Sequence, residues 1–127
     1  MRKLLYVVTA ATLAIACTLT ASAACRVHVH QRIVLFGSGD DPGVFLWDSR
    51  FRLRAYHVSS FDEAQALLSH ALLLQPGTRA TVDMCVPGFV LPKYGTFPDD
   101  AIEVEVTTGS ERGHAGWVLG SDTRPSP

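Results

Sequence analysis

The chain lacks the short sequence patterns that usually mark an enzyme or a calcium-binding protein. It contains no Cys-x-x-Cys pair, no Gly-x-Ser-x-Gly turn around a serine, and no loop with EF-hand spacing. These absences remove the usual sequence support for a redox dithiol, for an α/β-hydrolase nucleophile and for a calcium loop. We therefore expect a non-catalytic protein, and we predict no cofactor.

Clustered cations are also scarce. The 127 residues include 11 lysines and arginines against 12 acidic residues, which gives a formal net charge of −1 at pH 7. A nucleic-acid-binding surface requires a concentration of cations, and residues 50–54, Arg-Phe-Arg-Leu-Arg, are the one locally basic stretch. Because basic and apolar residues alternate there, we expect a strand whose arginines lie along one solvated face. The composition predicts no nucleic-acid partner.

The longest apolar run is short for a membrane span, which takes about 20 residues. This run, residues 4–17, follows two cations and precedes the small residues Ala-Ser-Ala at 21–23. That order of basic, apolar and small residues is typical of a secretory signal peptide. We predict that residues 1–23 are removed on export, which leaves a periplasmic or secreted protein without stable membrane insertion. Two alternatives stay open, namely an uncleaved anchor and lipidation of Cys17.

Cysteine is rare, and its positions predict one crosslink. Cys17 would leave with the signal peptide, so the mature chain would contain Cys25 and Cys85. Two such thiols tend to pair in an oxidising compartment. A Cys25–Cys85 disulfide would close a loop of about 60 residues and stabilise the fold by on the order of 4 kcal/mol. A redox or nucleophilic cysteine is the alternative, although no local motif supports it.

Alternating apolar and polar residues predict a mainly β protein. Strands are expected at residues 26–36, 44–47, 51–58, 78–86, 102–106 and 115–119. Ser60-Phe61-Asp62-Glu63 forms a capping box, and apolar residues follow it at helical spacing, which predicts one helix over residues 61–72. Residues 87–100 contain three prolines and no clean period, so we expect a long loop there. The polar residues 121–127 are expected to form a disordered tail.

The second half of the chain resembles a bacterial Src homology 3-like (SH3-like) domain. Residues 76–82, Pro-Gly-Thr-Arg-Ala-Thr-Val, resemble the "x-x-G-T-x-x-x-V" strand entry of that family. Val104-Glu105-Val106 and Gly116-Trp117-Val118, separated by a glycine turn, resemble its closing strands. The resemblance covers residues 74–121. It implies a small SH3-like barrel with one inserted helix, as a single domain over residues 24–120.

Aromatic residues are the main candidates for ligand contacts. Trp117, Phe89 and Tyr94 would line a groove suited to an extended or proline-rich peptide. Trp47 is the other tryptophan, and each indole has the alternative of filling the core. We therefore predict a non-catalytic binding or interaction module of the bacterial cell envelope. Its partner would be an envelope peptide, glycan or protein.

A pair of histidines supports a second hypothesis from another functional class. His28 and His30 occupy positions i and i+2 of the first predicted strand, so both imidazoles would leave the same face, roughly 7 Å apart at Cα. With a third ligand from elsewhere they would hold zinc or copper, which would make this a periplasmic metal-binding protein. The alternative is a solvated strand face, since Arg26 and Arg32 flank the pair and would repel a cation.

Overall fold

A computed structural model describes residues 24–38, 42–91 and 97–127. Within these ranges the chain forms a single mainly β domain around one curled, seven-stranded antiparallel sheet. The expected fold class, a mainly β domain with an inserted helical segment, is confirmed. The predicted signal peptide, residues 1–23, lies outside the described residues, and so does Tyr94.

The helical segment lies between the second and third strands. In chain order the elements are β1 (Arg32–Leu35), β2 (Val44–Trp47), α1 (Arg50–Val58), α2 (Phe61–Leu67), a 3-10 turn (Leu68–His70), β3 (Ala71–Leu74), β4 (Thr78–Val90), β5 (Asp99–Val106), β6 (Ala115–Leu119), a second 3-10 turn (Gly120–Asp122) and β7 (Thr123–Pro125). Across the sheet the strands are arranged β3-β2-β6-β5-β4-β1-β7. The helix α1 packs on β2, β4, β5 and β6.

The strands β5 and β6 form the hairpin that their alternating residues predict. Val104 and Val106 are buried, whereas Glu105 between them is exposed. Gly109 and Gly113 in the connecting turn have φ angles of +82° and +91°, a left-handed conformation that glycine adopts without steric penalty. The Gly113 backbone N–H donates to the Val106 carbonyl at 2.8 Å and closes the turn.

The buried side chains form two clusters. The larger lies among the strands and contains Val27, Ile33, Leu35, Val44, Leu46, Leu74, Ala80, Val82, Ile102, Val104, Val106 and Val118. The smaller contains Trp47, Leu53, Val90, Ala101 and Trp117. Since Leu53 belongs to α1 and the other four belong to strands, the smaller cluster is the contact that holds the helix on the sheet.

The predicted disulfide is confirmed. Cys25 and Cys85 are bonded across a sequence separation of 60 residues. Cys85 lies in β4, and Val27, two residues after Cys25, is buried in the larger cluster. The crosslink therefore fixes the segment before β1 against the middle of the sheet. Closing a loop of this length is worth on the order of 4 kcal/mol in the chain-entropy model.

The prediction of a strand at residues 51–58 was wrong, because this segment is the helix α1. Ser49 caps the helix, and its side chain accepts a hydrogen bond from the Phe51 backbone N–H at 3.1 Å. Leu53 is fully buried, and Tyr56 follows it one turn later. The alternation of arginine with Phe51 and Leu53 fits the two-residue period of a strand, and the spacing of Leu53 and Tyr56 fits the period of a helix. Burial of Leu53 against the sheet decides between them in favour of the helix.

The second helix begins where predicted and ends earlier. The Ser60 side chain accepts a hydrogen bond from the Glu63 backbone N–H at 3.4 Å, as the capping box requires. The helix α2 nevertheless ends at Leu67 rather than at residue 72. The apolar residues Ala71–Leu74 form the edge strand β3 and pair with β2, because a short apolar run fits a strand as well as a helix.

The remaining strand predictions need three corrections. Residues 26–31 are irregular, and the first strand begins only at Arg32. Residues 87–90 continue β4 instead of starting a loop, and register shifts within the β4–β5 pairing leave Met84 exposed. The expected disordered tail contains β7, which pairs with β1. Among the described helices, none combines the length and apolar character that crossing a membrane requires.

Candidate functional site

Two arginines of α1 lie over a group of aromatic rings. The Arg50 guanidinium is 5.2 Å from the centre of the Phe51 ring, 5.5 Å from that of Phe89 and 5.7 Å from that of Trp117. The Arg54 guanidinium is 4.5 Å from Phe89 and 5.5 Å from Phe51. The Phe51 and Phe89 rings meet edge to face at 5.5 Å. We call these five residues the arginine–aromatic surface.

Three elements build this surface. Arg50 and Arg54 are four residues apart on α1, so their side chains share one side of the helix, with Phe51 beside them. Phe89 comes from the end of β4, where the register against β5 shifts between Val86 and Val90. Trp117 lies in the middle of β6 and provides the base of the surface, because its indole is only 8% exposed.

The two guanidiniums have no acidic partner among the described residues. Arg52, on another side of the same helix, donates to Asp48 at 2.8 Å, and Asp48 also contacts His70 at 3.1 Å. No ion pair or hydrogen bond of the Arg50 or Arg54 side chain accompanies their ring contacts in the described ranges. Their cation–π contacts are worth about 0.5–1 kcal/mol each at an exposed site, and these contacts leave N–H groups available to an anion.

Exposed apolar side chains occur within this surface and close to Phe89 in the sequence. Phe51 is 55% exposed, and its ring lies close to both arginines. Leu91 and Phe97 are also exposed, and both border the 92–96 segment that contains Tyr94. The combination of the exposed Phe51 ring with arginines that have no acidic partner in the described part of the chain is typical of a binding surface rather than of a solvated helix face.

The structure brings together two of the four predicted contact residues. Phe89 and Trp117 both contact Arg50. Trp47 is 1% exposed and lies in the core, with its ring 4.9 Å from that of Tyr56. Tyr94 belongs to the residues that are not described. The two arginines that complete the surface were missed because residues 50–54 were interpreted as a strand. The signal that would have found them is the N-cap Ser49 before Leu53 and Tyr56 at helical spacing.

The geometric basis of the metal hypothesis was wrong. His28 and His30 do not lie on a strand, and His30 has a φ of +71°. Both are exposed, and the backbone turns between them, since the Gln31 backbone N–H donates to the His28 carbonyl at 3.0 Å. Within the described ranges, one group of three residues places potential metal-ligand atoms within 4.8 Å of one another, namely Cys25, Cys85 and Asp100. Its two sulfurs form the disulfide, so they are not available as thiolates.

A second feature is a cavity of about 220 Å³ between α1 and the end of the chain. Three aromatic rings line it, namely those of Phe45, Trp47 and Tyr56, together with His57 and Asp122. The ring centres are 6.1 Å apart for Phe45 and Trp47, 5.9 Å for Phe45 and Tyr56, and 4.9 Å for Trp47 and Tyr56. We call this the aromatic cavity.

Two titratable groups of the aromatic cavity have perturbed pKa values. The pKa of Asp122 is raised to about 6, chiefly by burial and also by the negative charge of Asp99, while Arg124 acts in the opposite direction. Burial lowers the pKa of His57, with Asp99 opposing. Asp99 itself accepts hydrogen bonds from two backbone N–H groups, those of Asp100 at 2.8 Å and Ser121 at 3.2 Å.

Comparisons with known proteins found no relative of this chain. No family model, no curated protein and no solved structure matches it. The function of the chain is therefore argued from its own residues.

Proposed function

We propose that this protein is a non-catalytic, extracytoplasmic binding module of the bacterial cell envelope, and that its contact surface is the arginine–aromatic surface. The ligand is an envelope peptide, glycan or protein that presents carboxylate or phosphate groups. The observation that carries the proposal is the position of Arg50 and Arg54, which lie over the rings of Phe51 and Phe89 without an acidic partner among the described residues.

The geometry suits an anion that is attached to a flat or apolar group. A guanidinium that lies over a ring keeps N–H groups at the edge of its own plane, and these bind a carboxylate or phosphate in bidentate fashion. The Phe51 ring beside them offers an apolar face for the rest of the ligand. Because the ring contacts already hold both arginine side chains, binding loses less side-chain entropy than it would with free arginines.

The cellular location rests on separate observations. The Cys25–Cys85 disulfide is the kind of crosslink that persists in the periplasm or outside the cell and is rare in the cytosol. The basic, apolar and small residues at positions 1–23 have the order of a secretory signal peptide. Both support export, and export places the arginine–aromatic surface among the anionic polymers and proteins of the envelope.

A pull-down from fractionated envelopes tests the proposal. The immobilised oxidised domain should retain an envelope component, and the Arg50→Gln/Arg54→Gln double variant should retain about tenfold less, because two charge-assisted contacts are lost. The Arg79→Gln/Arg112→Gln variant is a matched control, since it removes the same charge from two exposed arginines outside this surface. Equal retention by both variants, or no retention by the wild type, would contradict the proposal.

A further inference from the structure

The aromatic cavity lies outside the proposed envelope-binding surface and has its own chemistry. Its lining includes the rings of Phe45 and Trp47 from β2 and of Tyr56 from α1. The faces of aromatic rings carry the negative part of the ring quadrupole, which attracts cations. At about 220 Å³ the cavity is smaller than the roughly 300 Å³ at which drug-sized ligand pockets begin. It therefore fits a ligand of a few non-hydrogen atoms.

A carboxyl group with no partner among the described residues lines the same cavity. Asp122 belongs to the 3-10 turn after β6, where its main-chain carbonyl accepts from the Phe36 N–H at 2.9 Å. Its carboxyl group forms no hydrogen bond or ion pair with any other described residue. A partly buried carboxylate in this position lacks the stabilisation that water would give it in the unfolded chain. A ligand that brings a positive charge would restore this stabilisation of the carboxylate.

The other charged and titratable groups around Asp122 leave an excess of negative charge. Asp99 lies near it on β5, and Arg124 on β7 is the nearby cation. The Arg124 Nη1 atom already donates to the carbonyls of Ser121 at 2.6 Å and Thr123 at 2.8 Å. On α1, burial lowers the pKa of His57 and so favours its uncharged form, and Tyr56 offers a hydroxyl group.

We propose that the aromatic cavity binds a small organic ammonium ion, with its alkyl groups against the rings of Phe45 and Tyr56, next to the buried Trp47 ring, and its charge beside the Asp122 carboxylate. Calcium or magnesium does not suit this site, because these ions need six or more oxygen ligands and the lining offers one carboxylate, that of Asp122. A neutral aromatic ligand does not suit it either, since it would cover the carboxylate without pairing it.

The proposal has a defined pH dependence. Asp122 is ionised above about pH 6 and protonated below it, so ammonium binding should be strongest at neutral and mildly alkaline pH. Between about pH 7.5 and about pH 5 the ionised fraction falls roughly tenfold, and the affinity should fall by the same factor. Protonation of His57 in acid adds a positive charge to the cavity, which also lowers the affinity for the ammonium ion.

Titration with choline, followed by NMR chemical shifts of the oxidised domain, tests this inference. The matched probe is 3,3-dimethyl-1-butanol, which has the same shape as choline but carries no charge. We expect saturable binding of choline at millimolar concentrations at about pH 7.5, with binding of the neutral alcohol at least about tenfold weaker. No saturable binding of choline, or equal binding of the two probes, would overturn the proposal.

Variants assign the binding to the cavity. Asp122→Asn removes the charge with little change of shape and should weaken choline binding about tenfold or more, whereas Asp83→Asn, an exposed position on β4, should leave it unchanged. Phe45→Leu should also weaken it, while both variants keep the wild-type amide spectrum elsewhere. Unchanged choline affinity in Asp122→Asn would exclude this site. Arg50→Gln/Arg54→Gln should bind choline normally, so failure of the envelope proposal and failure of this one are distinguishable.

Discussion

Trp47 and Trp117 are directly opposite each other across the β2–β6 pairing. Side chains that are opposite in an antiparallel pair leave the same face of the sheet, so both indoles lie on the face that α1 covers. Tyr56 of α1 lies 4.9 Å from Trp47, and Arg50 of the same helix lies 5.7 Å from Trp117. The helix thus helps to form the aromatic cavity over one tryptophan and the arginine–aromatic surface over the other.

The position of α1 depends on Leu53. This residue is the buried anchor of the helix in the smaller cluster, so Leu53→Ala should lower the free energy of unfolding by about 2–5 kcal/mol. Leu73→Ala, on the edge strand β3, is the matched control because Leu73 is 53% exposed, and surface substitutions usually stay within about 0.5 kcal/mol. Urea denaturation measures both. Similar losses for the two variants would contradict the packing described here.

The disulfide should account for a large part of the stability. Replacing Cys25 and Cys85 together by alanine should reduce the free energy of unfolding by about 2–4 kcal/mol, because the unfolded chain is no longer constrained across 60 residues. Denaturant titrations with and without a reducing agent measure the effect, and the double variant should be insensitive to the reductant. A wild-type domain whose stability does not change on reduction would argue against this role of the crosslink.

Gly116 allows β2 to lie close to β6. A Cβ atom at this position would be 2.6 Å from the Trp47 carbonyl oxygen and 2.7 Å from the Leu46 Cγ atom. The first of these is backbone and cannot rotate away, so Gly116→Ala should destabilise the domain by about 1–3 kcal/mol. Ala115→Ser, at the exposed neighbouring position, is the control. Thermal unfolding of both variants checks the prediction, and an unchanged melting temperature for Gly116→Ala would refute it.

The raised pKa of Asp122 predicts a pH-dependent effect on stability. A folded-state pKa of about 6, against 3.8 for the reference carboxyl, means that the folded protein binds this proton more tightly than the unfolded chain does. The stabilisation is therefore complete below about pH 4 and is lost as the pH rises through 6. Asp122→Asn should consequently stabilise the domain at about pH 7.5, by about 1 kcal/mol once solvent screening of this partly exposed group is allowed for, and have little effect at about pH 4.

Comparing the melting temperatures of wild type and Asp122→Asn at the two pH values isolates this group. Other carboxylates titrate in both proteins, so their contributions cancel in the difference. A stability difference that is the same at both pH values would show that Asp122 is not perturbed.

Sequence reasoning succeeded where one physical factor decided the outcome. Val104 and Val106 alternate with acidic residues that have no reason to be buried, so the hairpin β5–β6 followed from the period alone. Cys25 and Cys85 left one possible disulfide once Cys17 was assigned to the predicted signal peptide. The Ser60 cap was visible because capping is a local interaction between residues three positions apart.

Sequence reasoning failed where contacts between residues distant in sequence determined the secondary structure or the site. Arg50–Val58 alternates well enough for a strand, and the segment became a helix because Leu53 had a place in the core under it. Ala71–Leu74 continued a helical pattern until pairing with β2 took it into the sheet. The aromatic cavity could not be anticipated, since Asp122 reaches it only because the residues after it pair with β1 as β7.

The most direct test of the proposed function is the salt dependence of envelope-ligand binding. Once the pull-down has identified a retained component, its affinity is measured for the wild type and for Arg50→Gln/Arg54→Gln at low and high ionic strength. Screening weakens contacts between exposed charges, so the account predicts a wild-type affinity that falls with salt and a weaker variant affinity that barely changes. Equal affinities and equal salt dependence in the two proteins would contradict it.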